Sequence, residues 1–593
     1  MEYTSKEVYE YISKQLNDKI VEWKKCRLSW QEFPIYQSDL DFYDKVSPTF
    51  DVSEKFVEQF FEKNSDVKNN FEYKNWKLKV KLPTPTLCPE EREAQRFVFR
   101  NENHLYRWKC VYSWKDIITT ISPDKDYIVY DENFRWGDKW EPKKIDQVKL
   151  DRTFFDTMNE ILHGTPIWGK FVQKNENSDY VNITGNSKNS YMCFASYDLN
   201  ECYYVQDWTY SSNCVDCLFA DYSEYCYDCV KINHCYAVTH CDSCINCSNS
   251  SYLYNCTWCH DCFNCSNLDN QSYCINNKKY TQEEYMKLLP TLKPSPIERN
   301  IIWCNIKDSD NCIWNNIVNC KNCYFVWTWT ECEDIRYTSY EIQSEDCMDS
   351  FCHSKHCIYT VSCWVSYNCG FIFYGNNLNN CRYCWNCDDS NNCFWCNWLR
   401  NKEYCIYNSQ YTKEEYNELV PQIIAQMIRD KQWWEFFNPQ LSYYWYNETL
   451  AMDYHPLTKQ EALEKWYKRS DYETPLPHVE KNVKWEDLPR QWCGIIKEKK
   501  PEILEKILNY AIICEVSKRP FRITKQEIDF YVKHNLPLPT KHPDIRHQER
   551  LARKDPTIMH LIHCDECGEE MLSVHLPWEW KKVLCEKCYY KSN

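Results

Sequence analysis

Residues 226–265 read CYDCVKINHCYAVTHCDSCINCSNSSYLYNCTWCHDCFNC, and the spacing of cysteine in this stretch decides the fold. Every interval between its cysteines is a multiple of three. Many intervals are twelve: Cys217, Cys229 and Cys241 form one series, and Cys235, Cys247 and Cys259 another. The same phase extends outward through Cys193, Cys202 and Cys214 to Cys274. A second block repeats it in Cys357, Cys369, Cys381, Cys393 and Cys405. A fixed period in an Asn/Asp/Ser-rich background marks a repeat architecture. Helical repeats need units of about 30 residues and an apolar 3.6 periodicity, and neither is present. A short period fits a narrow β-solenoid, with equivalent residues on successive coils about 4.8 Å apart. Cysteines twelve apart then stack as ladders inside a lumen that admits only small side chains. Asn213, Asn246, Asn255 and Asp261 suit the corners, because Asn and Asp tolerate left-handed backbone. Residues 193–274 would make about seven such coils.

Both blocks end alike, in CFNCSNLDNQSYCINNKKYTQEEY from Cys262 and CFWCNWLRNKEYCIYNSQYTKEEY from Cys393. Thr281 with Glu284, and Thr412 with Glu415, read as capping boxes. They predict closing helices over about 281–289 and 412–430 that blunt the last β edge.

A further duplication links the chain's ends. Cys26-Arg-Leu-Ser, LPTPTLCPEEREAQR and Cys110 occur at one end; Cys514-Glu-Val-Ser, LPLPTKHPDIRHQER and Cys564 occur at the other. These read as two copies of one α+β module. The C-terminal copy carries Cys564-x2-Cys567 and Cys585-x2-Cys588, two knuckles spaced to hold one Zn²⁺ in a closed, structural, tetrahedral site. In the N-terminal copy Ser113, Asp131 and Phe134 replace the last three of these ligands beside Cys110, so no metal is expected there. Cys26 and Cys514 each lack a second local cysteine and read as core or residual knuckle positions.

The expected fold is mainly β with α+β ends: two short Cys-rich β-solenoids of about 12 residues per coil flanked by the two modules, the last a zinc ribbon. The expected boundaries are 1–165 for the N-terminal module, 166–280 for the first solenoid and 281–300 for a capping helix and linker. Then come 301–411 for the second solenoid, 412–500 for a helical cap and linker, and 501–593 for the C-terminal module.

Three readings of the solenoid thiols stay open. Packing ladders are favoured, because free Cys is commonly buried. Metal clusters are suggested by runs such as Cys241, Cys244, Cys247 and Cys256, Cys259, Cys262, Cys265. Disulfides between neighbouring coils fit the permitted separation. His234, His240, His260, His353 and His356 read as corner residues more readily than as ligands. Arg546, His547, Arg550, Arg553 and Lys554 form the best basic patch, and a helix carrying them could meet RNA or DNA phosphates.

Composition bounds the rest. The 593 residues carry a formal charge of −15, against a wholly nucleic-acid-binding surface. Mean hydropathy is −0.72, no apolar run reaches a membrane span, and the opening MEYTSKEVYEYISKQLNDKI has no secretory core. These features predict a soluble, cytoplasmic chain in which 40 cysteines stay reduced or bind metal. No GxSxG elbow, Walker loop or HExxH is present, so no catalytic residue or organic cofactor is expected.

The segment LPTPTLCPEER ending at Arg92, Ser-Pro-Asp-Lys from Ser122, both C-F-x-C ends and the terminal C-x2-C pairs resemble large Cys-rich proteins of candidate-phyla-radiation bacteria. Members are often labelled CaiB/BaiF CoA-transferases, but the chain has neither the glycine fingerprint nor the α/β patterning of that label. Trp30, Trp114, Trp258, Trp395, Trp398 and Trp445 stand where the family motifs have glycine, and Trp114 aligns with Gly568 of this chain. Glycine occurs 8 times where about 40 would be usual, and tryptophan 26 times. Some bacteria of this radiation read UGA as glycine, so the resemblance implies that several of these tryptophans are glycines.

The function read from the sequence is a zinc-binding scaffold or interaction protein with no identifiable reaction. Its expected partner is a protein, met through Tyr-rich faces around Tyr203, Tyr210 and Tyr227. A thiol- or metal-dependent redox role for the solenoid cysteines is the alternative, and RNA or ribosome binding through the zinc module a further one.

Overall fold

The computed structural model describes the chain except residues 1, 135–136, 138–139, 147, 149–151, 294–300, 303–305, 308–311, 313–316, 319, 328, 331, 340–343, 351, 474, 476–478, 480, 488–506, 535, 577–581 and 593. The expected boundaries at 300/301 and 500/501 therefore lie outside the described residues, in whole or in part.

Parallel strands from Val172–Gln173 to Cys274–Ile275 stack in sequence order, and a short antiparallel hairpin with Lys278–Lys279 ends the sheet. Their registers give the period directly: Val181 lies beside Cys193, Val205 beside Cys217, Ile232 beside Cys244 and Leu253 beside Cys265. The first solenoid is thus a ladder of twelve-residue coils, beginning before Cys193.

The threefold spacing has a backbone cause. Asn213, Asp216, Phe219, Tyr222, Tyr225, Asp228, Lys231 and His234 all have φ between 49° and 59°. Left-handed backbone at every third residue turns the chain four times per coil, so each coil has four sides of three residues. Within a side, one N–H reaches forward and one reaches back: Tyr227 donates to the Val238 carbonyl and Asp228 to that of Val215, both at 3.1 Å. The third N–H, on the inward residue, points into the lumen. A sulfur or hydroxyl one coil earlier accepts it: Cys226 N–H donates to Cys214 Sγ at 3.4 Å, and Cys235 N–H to Ser223 Oγ at 3.1 Å. Cys226 Sγ in turn donates to the Glu224 carbonyl at 3.4 Å. An inward Cys or Ser is small and can both give and accept a hydrogen bond, which counts because a buried unpaired N–H is costly. Val205, Ile232 and Leu253 fill other inward positions by packing alone. Among the described residues every cysteine is a free thiol, so no disulfide joins the coils.

The second solenoid repeats the pattern, as in Ile358 beside Gly370 and Leu378 beside Ser390. One of its coils is two residues short: Glu345 bridges Lys355, and Met348 bridges Ile358. The closing helices are Gln282–Leu288 and Lys413–Arg429, each with its capping box formed. His234, His240 and His356 sit at left-handed corners; His260 does not, and the side chain of His353 lies outside the described set.

The modules do not simply flank the solenoids. Each clasps the solenoid farther from it in sequence. From the helix Pro89–Phe97, Arg92 Nε and Arg96 Nη1 each reach Asp349 of the second solenoid at 2.8 Å. From the helix Pro543–Leu551, Arg550 Nη1 reaches Asp216 of the first at 2.9 Å, beside Arg546 on the other carboxylate oxygen. Both aspartates are left-handed corners and both are buried. The two ends are thus equivalent clasps, and the chain is folded crosswise.

Five of the six tryptophans singled out by motif, Trp30, Trp114, Trp258, Trp395 and Trp398, have φ between 55° and 63°. Trp445 does not: its φ of −84° is extended backbone that any residue adopts, so nothing there calls for glycine. Trp76, Trp434 and Trp466 join the left-handed set with φ of 63–65°. Asn75 and Trp76, with φ of 52° and 63°, form the two-residue loop between the paired strands Phe71–Lys74 and Lys77–Val80. Positive φ at both loop residues is the hairpin geometry that Asn-Gly normally fills.

Candidate metal centre

The strands His560–His563 and Glu570–Ser573 pair antiparallel, and the turn between them carries Cys564 and Cys567. Cys564 N–H donates to the Glu569 carbonyl and Gly568 N–H to that of Cys564, both at 2.9 Å. Gly568 has φ of 73°, and a Cβ there would meet only open space. Asp565 N–H donates to the Val583 carbonyl at 3.0 Å, which sets Cys585 beside the turn, and the helix Glu586–Ser592 then brings in Cys588.

The four sulfurs lie within 4.8 Å of one another, with Cys567 and Cys585 at 3.6 Å. Tetrahedral ligands at 2.3 Å from one ion would be about 3.8 Å apart, so the set fits a metal ion. Among the described residues no other cluster of three or more Cys, His, Asp or Glu ligand atoms converges this closely. Burial opposes ionisation of Cys564, yet the N–H groups of Cys585, Cys567 and Glu566 hold it down to about 6. Burial pushes Cys588 up to about 12, helped by Cys585, Cys567 and Cys564. Thiols that raise one another in this way are relieved by a bound cation. Four thiolates would leave no open position, so an ion bound here would be enclosed rather than presented to a substrate.

The same frame occurs four times. Cys26, Cys110, Cys514 and Cys564 each donate their N–H to the carbonyl five residues on, at 2.8–3.0 Å. In each, the next N–H bonds a distant carbonyl: Arg27 to Thr86, Val111 to Val129, Glu515 to Thr540 and Asp565 to Val583. Two residues beyond those carbonyls stand Cys88, Asp131, His542 and Cys585, each just before a helix or 3-10 turn. The N–H of Asp131 donates to Cys110 Sγ at 3.3 Å, just as that of Cys585 donates to Cys564 Sγ at 3.2 Å. Pairing Ser113, Asp131 and Phe134 with Cys567, Cys585 and Cys588 is therefore right residue by residue. Cys26 and Cys514 are buried at the first position of frames with fewer sulfurs, as residual knuckle positions, and the helix Pro89–Phe97 brings Cys88, 62 residues on, to the frame of Cys26.

The basic patch is also corrected. Arg546 and Arg550 are 8% and 3% exposed and turned inward onto Asp216, while Arg553 pairs with Asp228 at 2.9 Å. Lys554 lies over the Tyr454 ring at 3.6 Å. Helical spacing was compatible with a solvated face or a clasp; the buried aspartate decides for the clasp. Tyr203 and Tyr227 pack beneath the C-terminal module, leaving Tyr210, Tyr222 and Tyr236 as the exposed tyrosines of the first solenoid. Among the described residues no helix is long and apolar enough to cross a membrane. No known protein family and no curated relative matches the chain.

Proposed function

We propose that this protein is a cytoplasmic structural scaffold or interaction protein whose C-terminal frame is closed by one structural Zn²⁺ held by Cys564, Cys567, Cys585 and Cys588. The observation that carries this reading is the closed four-sulfur set, which has ligands for an ion and no place for a substrate. Zinc is favoured over softer or redox-active metals because two knuckles on a hairpin and a helix are its usual structural seat. The ion would tie the helix Glu586–Ser592 to the hairpin. A protein partner is favoured at the stacked edge of Tyr210 and Tyr222, whose rings lie 5.0 Å apart and about half exposed.

The redox alternative finds less support, because the solenoid sulfurs are buried and hydrogen-bonded within their own ladders. Nucleic-acid binding would need residues other than Arg546 and Arg550, which Asp216 already holds. The test is native mass spectrometry of the full chain with metal identification. One zinc per chain, lost in Cys567→Ser, supports the reading. Iron, or several metals bound to solenoid cysteines, would replace it with the redox alternative.

A further inference from the structure

The two clasps carry the same pair of arginines and differ in charge. At the C-terminal clasp Arg546 and Arg550 share Asp216, and Glu527, 3.4 Å from Arg546, supplies a second carboxylate. Two guanidinium groups there meet two carboxylates. At the N-terminal clasp Arg92 and Arg96 share Asp349. Asp39 follows Cys26 by the same interval as Glu527 follows Cys514, but it lies 3.9 Å from Arg336 of the second solenoid. Three guanidinium groups there meet two carboxylates, which leaves one positive charge in excess. Beside Arg92 is a cavity of about 300 Å³, between the Pro-rich segment 83–87, the second solenoid and the turn 431–436 that follows the helix Lys413–Arg429. We infer that this cavity binds a small aromatic carboxylate.

Three polar side chains that line it, Arg92, Gln95 and Tyr359, are only 3%, 7% and 4% exposed. Arg92 Nε donates to Asp349 at 2.8 Å and Nη1 to the Leu87 carbonyl at 2.9 Å. Its Nη2, the Gln95 amide and the Tyr359 hydroxyl have no hydrogen-bond partner among the described residues, and none of them is sealed off by neighbouring atoms. Buried polar groups are normally paired, so three unpaired ones on a single cavity mark a place for a ligand. The arginine in the same position of the other clasp is satisfied within the chain: Arg546 reaches Asp216, Glu527 and the Tyr531 hydroxyl.

The lining also sets the chemistry of that ligand. Arg92 Nη2, Gln95 Nε2 and the Tyr359 hydroxyl can all donate, which suits the oxygens of a carboxylate. One negative charge balances the clasp, whereas a dianion would overshoot it. Glu435 lines the cavity but does not supply that charge, because Thr86 donates to it at 2.9 Å and Arg27 lies 3.5 Å from it. Lys431, exposed at the mouth, adds a further attraction for an anion. The remaining walls include Pro85, Leu87, Ile428, Trp433, Trp434 and Phe436. Their indole and phenyl rings favour a flat aromatic body, and the volume lies at the lower end of small-molecule sites.

The experiment is isothermal titration calorimetry of the full chain with phenylacetate, indole-3-acetate and benzoate at millimolar concentration. At least one should bind at one equivalent per chain, and its neutral amide should bind about tenfold or more weakly. Tyr359→Phe and Gln95→Leu nearly preserve volume and leave the pairing of Arg92 with Asp349 intact. Each should weaken the carboxylate about tenfold, while thermal unfolding of the chain stays cooperative. Binding by none of the three acids, equal affinity for acid and amide, or unchanged affinity in both folded variants overturns the proposal. Tighter binding of inorganic phosphate than of any of the acids also overturns it. If the variants fail to fold, the comparison of each acid with its amide on the native chain still decides.

Discussion

The two clasps of the molecule share a backbone and differ in what stabilises it. The N-terminal module and second solenoid belong to one large core, running from Val8 through Phe97 and Phe373 to Tyr467. Its corner column is an aromatic stack, with Phe371 and Tyr383 at 4.3 Å and 3°. On the first solenoid the C-terminal module meets Asp216 and Asp228 at equivalent corners; in its last frame the hairpin puts Leu572 and Val574 into the large core, while Cys564, Leu584, Cys588 and Tyr589 form a small cluster of their own with two partly buried neighbours. The frames of Cys26 and Cys110 lie in the large core and hold two sulfurs and one, whereas the four-sulfur turn of the last frame has only the small cluster beneath it. Metal binding and apolar burial can each support such a turn, and the sulfurs are most numerous where the burial is least.

Removing the metal should break this comparison on one side only. Chelation, or Cys567→Ser, should unfold the helix Glu586–Ser592 and the turn that carries Cys564 and Cys567, because structural zinc supplies about 10 kcal/mol or more of apparent folding free energy in small zinc modules. Hydrogen exchange should show protection lost there and kept in the helix Pro89–Phe97 and both solenoids. Loss of protection around Cys110 as well would mean that the frames are not independently supported.

The clasps themselves should respond alike. Asp349→Asn leaves Arg92 and Arg96 without their carboxylate, and Asp216→Asn does the same to Arg546 and Arg550. Breaking a buried pair by removing one partner costs about 3–5 kcal/mol. Limited proteolysis should then release the N-terminal module in the first variant and the C-terminal module in the second. A smaller effect in Asp216→Asn would identify Glu527, 3.4 Å from Arg546, as a substitute anion.

Much of this was legible in the sequence. Cysteines at multiples of three and twelve report inward positions, and only a coil with four equal sides gives both numbers. The four-cysteine set was readable because its spacing is local to each knuckle. The clasps were not. Arg546 and Arg550 look the same on a solvated helix as on a docked one, and Asp216 is one of many corner aspartates. Cys88 reaches Cys26 through a pairing of Arg27 with Thr86 that no local pattern signals.

The inward ladder allows a smaller test on both sides of the comparison. Cys214 Sγ accepts the N–H of Cys226, and Ser366 Oγ accepts that of Leu378 at 3.4 Å. Cys214→Ala and Ser366→Ala should each cost about 1–3 kcal/mol, the penalty of leaving a buried N–H unpaired. Cys214→Ser keeps donor and acceptor and should cost less. Equal losses for Ser and Ala in thermal unfolding would reduce the cysteines to space-fillers.

The smallest effect should be a gain. The fifth position of the four frames holds Trp30, Trp114, Lys518 and Gly568, with φ of 63°, 59°, 58° and 73°. Left-handed backbone costs a residue with a Cβ about 1 kcal/mol or more, a cost glycine avoids. The indoles of Trp30 and Trp114 are each 76% exposed, so little packing would be lost with them. Trp114→Gly and Trp76→Gly should therefore each raise stability by about 1 kcal/mol, while Gly568→Trp should lower it by a similar amount. Trp445→Gly, at extended backbone with the indole against Lys125, should destabilise instead. This opposite sign separates positions shaped for glycine from ordinary tryptophans, and the codons offer an independent check. UGA at positions 30, 76 and 114 with UGG at 445 would make the glycines native, whereas UGG throughout would leave the strain as a property of the protein itself.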